Sequence, residues 1–280
     1  MELFDYEFFR NALMGITLIA LASSVIGTYI FARRLVAIAG GITHACFGGL
    51  GLGYFTGINP ILMAGVFAVG SSVGVEWLST RHHVREDSAI AVVWSLGMAV
   101  GVLFVFLTPG YVPELNAFLF GNILTITQSD LLVFAGFTAL LIAFVTAFYN
   151  KIVICAFDRD FARVSGLRTG LINTAMTVFT AIAIVLTIKL VGVMLLMSML
   201  SLPQMIAETR YHRLNRLMAA SCVVSVACCL GGLIASCYIE VPCSALIVII
   251  MATVYAAAKT ASYISHKINR APSGADNRPT

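Results

Sequence analysis

Charged side chains make up only 11% of these 280 residues. Ordinary soluble domains carry roughly 25%, so a soluble domain of any size is excluded. No run alternates polar and apolar residues in the manner of a membrane β-barrel strand, so long apolar stretches must cross lipid as helices. The seven cysteines contain no C-x-x-C pair and fall mostly inside apolar runs, which excludes a zinc finger and a disulfide framework. There is no G-x-x-x-x-G-K-[ST] loop, so the chain does not cradle ATP phosphates itself. H-E-x-x-H is also missing, and with it the motif of an intramembrane metalloprotease. No basic region precedes the first apolar run. Its flank holds Glu2, Asp5 and Glu7, so that run is expected to stay as a membrane helix and not to be cleaved as a signal. No internal repeat is visible.

What remains is apolar. Hydrophobic residues make up 60% of the chain and the mean hydropathy is +0.96. A span takes about 20 residues, and nine are expected, at about 10–31, 35–56, 60–78, 89–107, 131–155, two within 171–207, 217–238 and 245–264. The pair within 171–207 is divided at Lys189, the one charge in that stretch. The segment 108–130 opens with Pro109-Gly110 and Pro113. Its apolar piece is too short to cross, so a short external helix is expected there. The predicted fold class is thus an all-α polytopic membrane protein. Residues 1–266 form its transmembrane domain, and 267–280 form a polar, disordered cytoplasmic tail.

Charge position tests this map. With nine spans and the N-terminus outside, every lysine and arginine except Arg10 and Lys189 falls on one side or in the last turns before it. That side is then the cytoplasm. Glu2, Asp5, Glu7, Glu114, Asp130 and Glu240 fall on the other side. The net charge of +4 carries less information than this separation.

Two places could carry chemistry. His44 is the one histidine within a predicted span, on a segment, 40–53, that holds six glycines. An ionisable group there faces a cavity or the bundle interior. It is either a neutral imidazole bonded to a neighbouring helix or a cation contact in a transport path. The second place is the charged stretch 156–168 between two spans, which reads either as a plain charged loop or as a short docking helix for a soluble partner. Met194, Met197 and Met199 are irregularly spaced and are expected to pack in the core. Lys189 reads as a snorkelling anchor.

Four segments, in order, carry a resemblance. They are Arg33-Arg-Leu-Val-Ala-Ile-Ala-Gly-Gly-Ile-Thr-His-Ala45, Leu115-Asn-Ala-Phe-Leu-Phe-Gly-Asn-Ile-Leu124, Phe157-Asp-Arg-Asp-Phe-Ala-Arg-Val-Ser-Gly166 and Val191-Gly-Val-Met-Leu-Leu-Met-Ser-Met-Leu-Ser-Leu-Pro203. Together they resemble the membrane permease subunit of bacterial ABC importers for zinc, manganese and related divalent metals. The resemblance implies a homodimer in the cytoplasmic (inner) membrane, with a cytoplasmic ATP-binding subunit, an external metal-binding protein and no nucleic acid. It also implies a transported divalent metal as substrate, no cofactor held by this chain, and no enzymatic activity of its own. His44 would be the metal contact. Phe157, Asp158, Phe161, Ala162 and Gly166 would form the coupling helix, with Phe161 and Ala162 in a groove of the ATPase. In the family an acid stands where this chain has Gly40. The alternatives are an importer of iron or a metal chelate, and a membrane scaffold or enzyme.

Overall fold

The structure, a computed structural model, describes residues 6–82, 84–109, 118, 121, 123–157, 159–166 and 169–270. Among these the regular elements are all helical: α1 (Glu7–Ala32), α2 (Val36–Thr56), α3 (Pro60–His82), α4 (Glu86–Leu107), α5 (Gln128–Ala147), α6 (Tyr149–Phe157), α7 (Arg159–Val164), α8 (Thr169–Met199), α9 (Leu202–Glu208), α10 (Leu214–Ile239) and α11 (Cys243–Arg270), with a 3-10 turn at Ile123–Thr125.

Local chemistry sets the helix ends. Asn59 Oδ1 accepts from the N–H groups of Ile61 and Leu62, and Pro60 takes the first position of α3, where no N–H is needed. Thr127 caps α5 by accepting from the Asp130 N–H. Gly57 closes α2 at φ 72, a left-handed conformation that costs glycine no Cβ clash. The loop expected at 79–88 is shorter than the charges suggested, because α3 runs to His82 and α4 starts at Glu86. The fifth span is two helices, interrupted at Phe148. α11 continues to Arg270, so the first four residues of the expected tail are helical, and 271–280 lie outside the described residues.

Among the described residues eight helical stretches are long and apolar enough to cross a membrane, one of them the 40-residue stretch Thr169–Glu208. That stretch doubles back. Gln128 Nε2 donates to Glu7, so the start of α5 lies at the Glu7 end of α1. Lys189 is ion-paired with Asp130 at this same end. Asn173, earlier on α8, accepts from the hydroxyl of Tyr29 at the Ala32 end. Beyond the turn, Gln204 donates to the Ser23 carbonyl, and Glu208 and Tyr211 line a cleft with Phe31 and Ala32. The chain therefore travels from the Ala32 end to the Glu7 end and back again. The reversal is at Gly192 (φ 79, ψ 172), three residues beyond the division expected at Lys189. A side chain is no bar to ending a helix, but this backbone angle favours glycine, whereas Lys189 sits in regular helix and pairs with an acid. Counting both limbs gives nine passes among the described residues, the second limb short and broken into the end of α8 plus α9. Gly121 (φ 61) backs onto Val191 and Gly192, and Ile123 and Ile126 are buried. The described part of the external segment thus dips into the bundle; most of 115–124 lies outside the described residues.

α2 packs against α3 and α4 through bare backbone. A Cβ on Gly97 would stand 2.5 Å from Ala45 Cα, one on Gly101 2.6 Å from the Phe47 carbonyl carbon, and one on Gly51 2.5 Å from Gly101 O. Lipid is as apolar as a leucine side chain, so close van der Waals contact between small residues holds such helices together. At the other end of the bundle, Arg33 is nearly enclosed. Its guanidinium donates to the Tyr29 hydroxyl at 2.8 Å and meets Glu86 at 3.6 Å. Ser79 also donates to Glu86, and Thr177 donates to Glu76. This cluster ties α1, α3, α4 and α8 together. The seven cysteines are all free.

Gly101→Leu is expected to destabilise the protein by about 3 kcal/mol, the upper end of overpacking costs, seen as a lower midpoint of thermal unfolding in detergent; an unchanged midpoint contradicts the α2–α4 packing. Arg33→Ala removes a charged hydrogen bond and an ion pair, with an expected loss of about 2 kcal/mol in the same assay.

Candidate functional site

The glycine seam places the two helix faces that meet at His44. α2 is so thin at Gly41, Gly48 and Gly51 that α4 approaches within backbone contact, and the first large side chains to meet are His44 from α2 and Trp94 and Met98 from α4. The imidazole stacks on the Trp94 ring with centroids 4.4 Å apart and planes 15° apart. Its Nδ1 lies 3.3 Å from Met98 Sδ. Phe47, one turn further along α2, is near-parallel to it at 6.1 Å and meets Phe118 edge-on at 4.8 Å. His44 is half-buried and Trp94 is 40% exposed, so the ring lies just beneath the surface of the chain.

The space over Gly40, four residues before His44 and on the same face, is taken. A Cβ there would stand 3.2 Å from the Trp94 ring and 3.3 Å from the Met197 methyl. Thr43 donates weakly to the Met197 sulfur at 4.0 Å. Met197 therefore faces α2 across this groove, whereas Met199 is buried as expected and Met194 is exposed. Among the described residues no group of three or more His, Cys, Asp or Glu could hold a metal. His44 has thioether and aromatic neighbours instead. Sequence reasoning did not single out Trp94 and Met98. They stand at i and i+4 on α4, in register with Gly97 and Gly101, but only the α2–α4 contact reveals what they face.

The second place is α7. Phe157 closes α6, and Phe161 and Val164 lie on α7; all three are exposed, Val164 at 88%. Gly166 (φ 73) is exposed beyond the helix end. Asp158 lies outside the described residues. Ala162 is fully buried within its own chain, which corrects the expectation that it enters a partner's groove. It seats α7 on the bundle, and the outward stripe is Phe157, Phe161 and Val164. Val164 was missed although the 157, 161, 164 spacing announces one helix face. Beside this stripe, Phe157 lines a cleft of about 480 Å³ with Phe31, Arg34, Glu208, Tyr211 and His212. The cleft and the stripe share the Ala32 end, where the loops are basic.

Comparison with known proteins agrees with this geometry. The chain is 33% identical over 244 residues to a "probable metal transport system membrane protein" of Chlamydia pneumoniae, covering 85% of this chain and 83% of that one. It is 25% identical over 257 residues to the manganese transport system membrane protein MntC of Halalkalibacterium halodurans, covering 92% and 88%. Among solved structures, PsaBC from Streptococcus pneumoniae in complex with Fab superposes with a TM-score of 0.80 at 22% identity, over 92% of each chain. The model of the ABC 3 transport family matches residues 5–262. A multi-pass helical bundle matched over nearly its whole length in this way belongs to the ABC 3 transport family.

Proposed function

We propose that this chain is the permease subunit of an ABC importer of a divalent metal ion, zinc or manganese, in the cytoplasmic membrane. Two copies form the path, each engages a cytoplasmic ATP-binding subunit, and an external metal-binding protein delivers the ion. The observation that carries this reading is the exposed stripe Phe157, Phe161 and Val164. A bundle without a phosphate-binding loop of its own presents an apolar helix face at its basic end. By the positive-inside rule that end is cytoplasmic, where an ATPase would sit. The relatives named for metal and manganese transport support the choice of substrate.

In this reading ATP-driven closure of the partner subunits moves α7. The helix packs on α6 and α8. The first turns of α8 are bonded to α1 through Asn173 and Tyr29 and to α3 through Thr177 and Glu76. Arg33 carries the link on to Glu86 at the start of α4, and α4 holds Trp94 and Met98 against His44. Rocking of the tightly packed α2–α4 pair as one body would thus open the groove at His44 to one side at a time. Because His44 lies just below an exposed face of the chain, a second copy facing it would enclose the path. Lys189 with Asp130, and Gly121 against Gly192, brace the opposite, external end.

His44→Ala is expected to lower uptake of labelled zinc and manganese about tenfold or more in proteoliposomes holding permease, ATP-binding subunit and binding protein, with the amount of assembled complex unchanged; full uptake of both ions would return His44 to a packing role. Phe161→Asp places a charge on the stripe without disturbing the core. The ATP-binding subunit should then no longer co-purify, while the permease keeps its thermal midpoint; undiminished co-purification would sink the docking assignment.

A further inference from the structure

The His44 groove has a donor set of its own kind. Its ring meets Met98, Trp94 and Phe47, none of which offers an oxygen, and the residue one turn earlier, Gly40, offers no side chain at all. Resting on the import reading above, we infer that the passing cation is held by an imidazole–thioether pair, His44 Nδ1 and Met98 Sδ, and that the path therefore favours zinc over manganese.

The geometry suits two donors on one ion. Zinc takes nitrogen at about 2.0–2.1 Å and a thiolate sulfur at about 2.3 Å; a neutral thioether binds less closely, so imidazole and thioether donors at a tetrahedral angle stand at least about 3.5 Å apart. Nδ1 and Sδ are 3.3 Å apart, and a small displacement of the flexible methionine admits the ion. Trp94 is the positioning residue. Its near-parallel stack fixes the imidazole plane, and the Nδ1 lone pair lies in that plane, aimed at Met98. Between ions, Nδ1–H donates to the sulfur; when an ion arrives the ring proton sits on Nε2 and the freed Nδ1 lone pair takes the metal. The Met197 thioether lies nearby, across Gly40 and Thr43. Thioether and imidazole suit zinc and cuprous ions, whereas manganese prefers carboxylate, carbonyl and water oxygens. A thioether is also a weak donor, which lets the ion leave.

The test compares zinc, manganese and cuprous ions in the reconstituted complex of permease, ATP-binding subunit and binding protein. Wild type should take up zinc faster than manganese at equal concentration. The volume-conserving Met98→Leu should lower zinc uptake about tenfold and manganese uptake by much less, and Met98→Glu should shift the ratio toward manganese. X-ray absorption at the zinc edge of the purified complex should report a sulfur neighbour that Met98→Leu removes. Cuprous uptake with the same Met98 dependence supports the pair and widens its cargo. Transport with an unchanged zinc-to-manganese ratio in Met98→Leu, or a zinc site without sulfur in wild type, overturns the pair and leaves metal import standing. Uptake of no metal at all overturns the import reading and the pair with it.

Discussion

The backbone contact between α2 and α4 is the constraint on which the rest depends. Gly97 and Gly101 meet Ala45, Phe47 and Gly51 with no room for a Cβ. In lipid, where burying apolar surface drives nothing, such contact is what fixes one helix against another. It also fixes the surroundings of His44. Because the two backbones touch, the next side chains outward are forced to stack, and His44 finds Trp94 on its face and Met98 at its Nδ1. An imidazole packed this way gains orientation from a neighbour that has no charge to compete for a cation.

The two ends of the bundle are built differently, and each construction suits one side of a membrane. At the Glu7 end the chain reverses at Gly192 against Gly121, and one ion pair, Lys189 with Asp130, fastens α8 to α5. At the Ala32 end, Arg33, Tyr29, Glu86, Glu76, Asn173 and Thr177 link four helices. Polar links of this kind are directional and have few alternative partners away from water. Motion at α7 would therefore reach α4 through defined contacts and not through a deformable core.

The exposed stripe of Phe157, Phe161 and Val164 shows how neighbours in the chain part company in the fold. Ala162 and Phe161 are neighbours in the chain, yet one is fully buried and the other exposed. A helix of six residues has room for one face only on each side. The face that seats α7 on the bundle takes the small residue, and the opposite face takes the large apolar ones.

Composition and pattern by themselves determined much of this protein. Scarce charge and long apolar runs dictate a helical membrane bundle, because lipid leaves the backbone no other way to satisfy its polar groups. The one-sided distribution of Lys and Arg gives its polarity, and four short motifs give its family. The reversal within 171–207 was also legible, down to a division only three residues from the true turn, since a stretch twice the length of a span must reverse. What sequence could not place was the turn itself. A charge at Lys189 looks like a boundary, but an acid on α5 satisfies it within the helix, and only the packing against Gly121 reveals that Gly192 bends. The neighbours of His44 were out of reach for the same reason. Trp94 and Met98 are fifty residues away along the chain, and an apolar residue on a lipid-embedded helix carries no periodic mark of which face meets protein. Tertiary structure alone decided that the histidine faces a thioether, because only the register of α2 on α4 sets which side chains share the groove.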